Sequence, residues 1–134
     1  MPDNKNYSVM LIDDNEIDNL INQKTIEASN FAKNIYIHSS AKSAIEFLKN
    51  VEKIQELADQ VLPDLIFLDI DMPLMDGFQF MDEFETLSNE TKSKCKVVVL
   101  TSSVNPQDMN KSMKYESVTK YLTKPLTQES LSKI

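Results

Sequence analysis

Short apolar runs alternate along the chain with stretches whose apolar positions recur every three or four residues. Tyr7 to Ile12 is an apolar run that enters Asp13-Asp14. Leu65-Ile66-Phe67-Leu68 runs without interruption into Asp69 and ends at Pro73. Lys96 to Leu100 is another such run and enters Thr101-Ser102-Ser103. Runs of this length between turn signals suit strands of a parallel sheet covered by helices on both faces. Asn34 to Ser39 places Ile35 and Ile37 at alternate positions and reads as a second strand. Val118 to Thr123 is more polar, which predicts an edge strand, and it ends in Lys124-Pro125.

Between these runs the period becomes helical. Ile17, Leu20, Ile21, Ala28 and Phe31 lie roughly on one helical face and predict a first helix, capped at Asp14 or Asn15. Ala41, Ala44, Ile45, Leu48 and Val51 begin a second stripe that continues through Ile54, Leu57 and Ala58, before Pro63 ends the segment. Phe80, Met81, Phe84 and Leu87 predict a third helix. Asn105 to Tyr115 predicts a weak fourth one, with Met109 and Met113 as its main apolar positions. Thr127 caps a last helix of about two turns, given the rise of ~1.5 Å per residue. The only glycine, Gly77, points to a backbone position with φ above zero or to a close approach that a Cβ would block. Five strands alternating with five helices predict a doubly wound α/β domain in three layers, with a five-stranded parallel sheet between its helices.

Composition bounds this picture. With 134 residues, 41% of them hydrophobic, the chain fits one domain with a real core and leaves no room for a second. No stretch approaches the roughly 20 apolar residues of a bilayer span, and the Met-Pro-Asp-Asn-Lys start lacks an apolar signal core, so a cytoplasmic location without membrane attachment is expected. A lone cysteine, Cys95, has no partner for a disulfide or a metal site and is expected to be inert. The net charge of −7 argues against direct nucleic-acid binding. Residues 92–134 carry eight lysines against three acids, a net +5, so the residues before them carry −12. The acidic part is suited to gathering a cation, and the last third offers lysines to a partner, although solvated helix faces account equally well for most of these charges.

The polar residues that close the strands change the picture most. All carboxyl ends of a parallel sheet lie on one edge, where α/β sheets place their ligands. Asp13, Asp14, Asp69, Thr101, Ser102 and Lys124 are therefore expected to converge there. Crowded carboxylates repel one another unless a cation neutralises them. An all-oxygen set suits Mg²⁺ better than zinc, and the sole histidine, His38, sits away from the acids. A metal and Lys124 beside a nucleophilic carboxylate are what phosphoryl transfer requires, with a hydroxyl such as Thr101 donating to a phosphoryl oxygen. The product would be an aspartyl phosphate.

The acidic pair Asp13-Asp14, the stretch from Phe67 through Asp69, Asp71, Met72-Pro73 and Gly77, Thr101-Ser102, and Tyr121-Leu122-Thr123-Lys124-Pro125 together resemble the receiver domain of two-component response regulators, from about Tyr7 to Ile134. The resemblance implies a flavodoxin-like sheet of strand order 2-1-3-4-5 and a stand-alone receiver over 1–134 with no output domain, acting as a switch and not as a turnover enzyme. It implies that Asp69 accepts the phosphoryl group from a sensor histidine kinase or phosphotransfer protein. Mg²⁺ would be bound by the carboxylates of Asp14 and Asp69, the backbone carbonyl of Asp71 and, through water, Asp13. Thr101 and Lys124 would contact the phosphoryl oxygens, and Tyr121 would swing inward as Thr101 moves. Asp71 and Ser103 occupy positions that tune phosphoryl lifetime. Lys124-Pro125 would be cis, and a downstream protein would read the face of the fourth helix, fifth strand and fifth helix. Two departures are a longer segment at residues 50–62 and a short last helix.

A haloacid-dehalogenase-type phosphatase using Asp69 and Asp71, with Thr101 and Lys124 as later members, is the enzyme alternative. Against it, that family usually carries its nucleophile on the first strand and an acidic pair after the lysine. Here Asp13-Asp14 come first, and no acid follows Lys124 until Glu129. An interaction module independent of phosphorylation is a third reading, opposed by the complete acidic set and Lys124.

Overall fold

The computed structural model describes residues 6–134, so the polar start at residues 1–5, expected to lack a signal core, lies outside the described residues. The strands are β1 (Tyr7–Ile12), β2 (Ala32–His38), β3 (Leu65–Leu68), β4 (Lys96–Thr101) and β5 (Val118–Thr123). They pair in parallel in the order β2-β1-β3-β4-β5, which is the predicted flavodoxin-like order and puts β5 at an edge. β3 is central and all four of its residues are buried. Each such side chain contributes roughly 1.5–3 kcal/mol relative to exposure.

Alternation along the strands divides the interior into two cores. Met10, Ile12, Ile66, Leu68, Val97 and Val99 face one side, with α2 (Ala41–Glu52) and, after the segment α3 (Gln55–Val61), α4 (Gly77–Phe84). The next elements in chain order are α5 (Asn89–Lys94), α6 (Pro106–Met113) and α7 (Gln128–Ser132). Val9, Leu11, Leu65, Phe67, Val98 and Leu100 face the other side, where Leu131 of α7 meets Ile26 of the first helix, α1 (Glu16–Ala28).

Seven helices, not five, are present among the described residues. The second apolar stripe breaks at Lys53 and Ile54. A single helix through Val61 would run about 30 Å at 1.5 Å per residue, beyond the cover the sheet needs. The break turns Ala58 and Val61 back onto the core while Ile54 and Leu57 remain exposed. α5 has no apolar periodicity to announce it. It is started by Ser88, whose side chain accepts from the Thr91 N–H.

The largest correction concerns α1. Asn15 caps it, accepting from the Ile17 and Asp18 N–H groups, as one of the two expected caps. However, Ile17, Leu20, Ile21 and Ala28 are exposed, and Phe31 lies beyond the helix end. The inward residues are Asn19, Asn22 and Ile26. Buried backbone groups that the sheet does not satisfy need partners, and these asparagines supply them. Asn19 Nδ2 donates to the Asp13 carbonyl at 2.8 Å, and the Leu126 N–H donates to Asn22 Oδ1 at 3.2 Å.

Gly77 answers to the second of its two explanations. Its φ is not positive; the left-handed residue of that turn is Leu74, at φ 67°. A Cβ on Gly77 would lie 2.6 Å from Ile70 Cα and 2.8 Å from the Asp69 carbonyl oxygen. Both are backbone atoms, so the turn itself would have to move. Gly77→Ala is expected to cost about 1–3 kcal/mol by overpacking, read as a lower urea midpoint with an unchanged slope. An unchanged midpoint would show that the turn yields freely.

Candidate functional site

The sheet ladder carries each site residue to the same edge. Past β1, the Asp13 N–H donates to the His38 carbonyl at 3.1 Å. Past β3, the Asp69 N–H donates to the Ile12 carbonyl at 3.0 Å, and past β5 the Lys124 N–H donates to the Thr101 carbonyl at 2.9 Å. Carboxylate oxygens of Asp13, Asp14 and Asp69 all lie within 4.8 Å of one another. Asp13 and Asp69 are buried, and Asp14 is exposed at the rim. Lys124 Nζ reaches across to Asp13 Oδ2 at 2.6 Å and to Asp69 Oδ2 at 3.2 Å. The other Asp69 oxygen, Oδ1, accepts from the Asp71 N–H at 3.1 Å.

Burial raises the pKa of Asp13, and the nearby charge of Asp69 adds to this; hydrogen bonds from Lys124 and the Asn15 N–H only partly offset them. Burial pulls Lys124 the other way, but hydrogen bonds to Asp13 and Asp18 and the charge of Asp69 outweigh it and leave its pKa raised. The lysine is thus held charged. Partial desolvation, with repulsion from Asp69 and Asp108, raises Asp71. One ammonium faces several carboxylates, so the site is short of positive charge. The three clustered acids offer only hard oxygen donors, a set that fits Mg²⁺.

The remaining predicted residues are close by. Thr101 is fully buried and its Oγ1 accepts from the Ser103 N–H at 3.3 Å. The half-buried Tyr121 donates its hydroxyl to the Ser103 carbonyl at 2.9 Å, and Ser103 Oγ donates to Asp108 Oδ2 at 2.6 Å. Lys124-Pro125 is cis. His38 lies outside the acidic cluster and bonds Ser43 Oγ through Nδ1 at 2.8 Å. Cys95 is buried, and burial pushes its thiol up to about 12, in keeping with an inert residue.

Sequence reasoning missed Asp18, whose Oδ2 accepts from Lys124 Nζ at 2.8 Å, and the two asparagines behind it. A signal was present: Asn15, Asp18, Asn19, Asn22 and Ile26 follow the i, i+3, i+4, i+7 spacing of one face. Being mostly polar, this stripe reads as the solvent side of a helix.

Comparisons with known proteins agree with this geometry. A family model described as the response regulator receiver domain matches residues 9–134. The sensor histidine kinase CheAY of Helicobacter pylori is 30% identical over 96% of this chain, which spans only 14% of that protein's length. A two-component response regulator from Cytophaga hutchinsonii has a similar crystal structure, with a TM-score of 0.84 and 32% identity over 94% of this chain and 91% of its own. The Mn²⁺-bound form of response regulator Rcp1 is similar with a TM-score of 0.72 and 28% identity, covering 95% of this chain and 87% of that one. None of these supports the phosphatase alternative. Among the described residues no helix is long and apolar enough to cross a membrane. With its sheet order, its converging acids and lysine, and a match over nearly its whole length, the chain belongs to the response regulator receiver domain family of two-component signalling.

Proposed function

We propose that Asp69 is the phosphoryl acceptor of a protein–protein switch, taking the group from a phosphohistidine of a sensor kinase or phosphotransfer protein. The observation that carries this reading is the triple juxtaposition of Asp69, the neighbouring acids Asp13 and Asp14, and Lys124. A carboxylate oxygen of Asp69 attacks phosphorus, the P–N bond to the donor's imidazole breaks, and an acyl phosphate forms. Lys124 and Thr101 donate to the phosphoryl oxygens. Mg²⁺ would be held by Asp14, Asp69 and the Asp71 carbonyl, with Asp13 through water, and when bound it supplies charge neutralisation of the transferring group.

Tyr121 links this site to a surface. Its hydroxyl ties β5 to the loop before α6, so movement of Thr101 and Ser103 is felt there. The expected helix–strand–helix recognition face corresponds to α6, β5 and α7. Met109 and Met113 of α6 are 45% and 44% exposed, and a protein partner that covers them would read the state of Asp69.

Incubation with acetyl phosphate and Mg²⁺ tests the reading. The expected product is a hydroxylamine-labile adduct of one phosphoryl group that borohydride trapping maps to Asp69. Repeated turnover of a phosphomonoester without an adduct would overturn the switch in favour of a phosphatase, and the absence of both reactions would favour an interaction module.

Mg²⁺ affinity is expected to depend on pH through Asp13. Its pKa lies above the ordinary 3.8, so a proton competes with the cation from a higher pH than at a free aspartate. Calorimetric titration should show weakening on acidification that begins above that value, and an onset at or below it would remove Asp13 from the cation's surroundings.

A further inference from the structure

We infer that Asp18 is a positioning residue for Lys124, an outer anchor that keeps the ammonium aimed at the acceptor; this deepens the reading of Asp69 as phosphoryl acceptor and rests on it. A lysine ammonium has three N–H donors, and here the group faces three carboxylates. It meets Asp13 Oδ2 at 2.6 Å, Asp18 Oδ2 at 2.8 Å and Asp69 Oδ2 at 3.2 Å. The longest of these is the one that changes when Asp69 carries a phosphoryl group, whose oxygens compete for the ammonium. The Asp13 bond is also under competition, because Asp13 belongs to the cluster able to hold a cation. Asp18 is outside that cluster. It alone of the three carboxylates is free to hold Lys124 throughout the reaction.

The helix is built to deliver it. Asn15 caps α1 by accepting from the Asp18 N–H at 3.0 Å. Asn19, the next residue, donates to the Asp13 carbonyl, and Asn22, one turn on, accepts from the Leu126 N–H two residues past Lys124. These bonds pin α1 to the chain on both sides of the lysine's binding place. Asn19 Oδ1 is buried without a partner, a desolvation cost that a helix selected for packing alone would avoid. The same construction explains why the apolar residues of α1 face outward.

Two effects of Asp18 on the reaction oppose each other and can be separated. Its charge repels an anionic phosphodonor, while its hydrogen bond orients Lys124. Asp18→Asn removes the charge and keeps an acceptor of the same shape; Asp18→Ala removes both. With acetyl phosphate and saturating Mg²⁺, Asp18→Ala is expected to lower the limiting rate of Asp69 phosphorylation about tenfold, within the range of misorientation effects. Asp18→Asn should restore that rate to within about twofold of the parent and lower the half-saturating donor concentration, since loss of a neighbouring negative charge favours the anion. NMR relaxation of the Lys124 ammonium, followed without any donor, should show a freer group in Asp18→Ala and a parent-like one in Asp18→Asn. Equal limiting rates in Asp18→Ala and the parent, or equal acceleration in both variants, would overturn the inference, as would an ammonium of unchanged mobility in Asp18→Ala. If the parent forms no adduct, the phosphoacceptor reading fails, and the ammonium measurement still decides whether Asp18 anchors Lys124.

Discussion

Asp69→Asn is expected to abolish the acetyl phosphate adduct and, without divalent cation, to raise stability against urea. The asparagine is nearly isosteric, and its single amide oxygen keeps an acceptor for one of the two donors, the Asp71 N–H and Lys124, that meet separate oxygens of Asp69. Its amide oxygen is not a nucleophile that can hold a phosphoryl group, so the adduct should disappear although the fold stays. The stability effect follows from charge. Asp13, Asp14 and Asp69 present oxygens within 4.8 Å of one another, and the ammonium beside Asp13 and Asp69 is shared with Asp18. Removing one of these like charges relieves repulsion on the order of 1 kcal/mol, a fraction of the bare Coulomb term at an effective dielectric near 20. The gain should shrink when Mg²⁺ is added, because the cation binds and stabilises the parent more than the variant. An adduct that survives would place the acceptor elsewhere, and a lower midpoint would mean that the Asp69–Lys124 contact outweighs the repulsion.

Lys124→Met should act in the opposite direction on stability and in the same direction on phosphorylation. The lysine side chain is 12% exposed and contacts three carboxylates. Removing one partner of a largely buried charge cluster costs about 3 kcal/mol, and losing a preorganised donor to the transferring group slows phosphorylation by about 10²-fold. The pH dependence supplies a second check. The pKa of Lys124 is raised, so its stabilisation is fully present below the ordinary lysine value of 10.5 and is lost only as pH rises through the folded value. Between pH 5 and 8 the parent should therefore show no change from this group. In Lys124→Met, Asp13 is already raised by burial and loses the hydrogen bond that lowers it. The native state then binds more protons than the unfolded one, so the variant's deficit should narrow on acidification, from a higher pH than an ordinary aspartate would give. A deficit that stays constant on acidification would show that the carboxylates are neutralised by other means.

Most of the framework was legible along the chain. β3 could be recognised because a strand buried on both faces tolerates only apolar side chains, and Asp69 because a carboxylate directly after such a run has no place in a core. Gly77 was legible as an exception, and the structure chose between its two explanations: backbone atoms of Asp69 and Ile70 fill the place of its Cβ. α1 was misread for the reverse reason. Periodicity identifies the apolar side of a helix but not what that side faces, and here the chain past β1 and past β5 presents backbone groups that Asn19 and Asn22 bond. The break between α2 and α3 was equally hidden, since the apolar stripe passes through Ile54 without a glycine or proline to mark it.

The amino-acid sequence by itself determined the order of the strands, the two-faced burial of the central ones and the chemistry of the residues that close them, because period and local turn chemistry are properties of neighbours along the chain. Only the tertiary structure decided that Lys124 is held by Asp13, Asp18 and Asp69 together. Those contacts join residues as many as 111 positions apart, and distance along a chain carries no information about angle around a helix. Which side of α1 turned toward the sheet settled it: polar groups inside, an acid against the lysine, and apolar residues left to solvent.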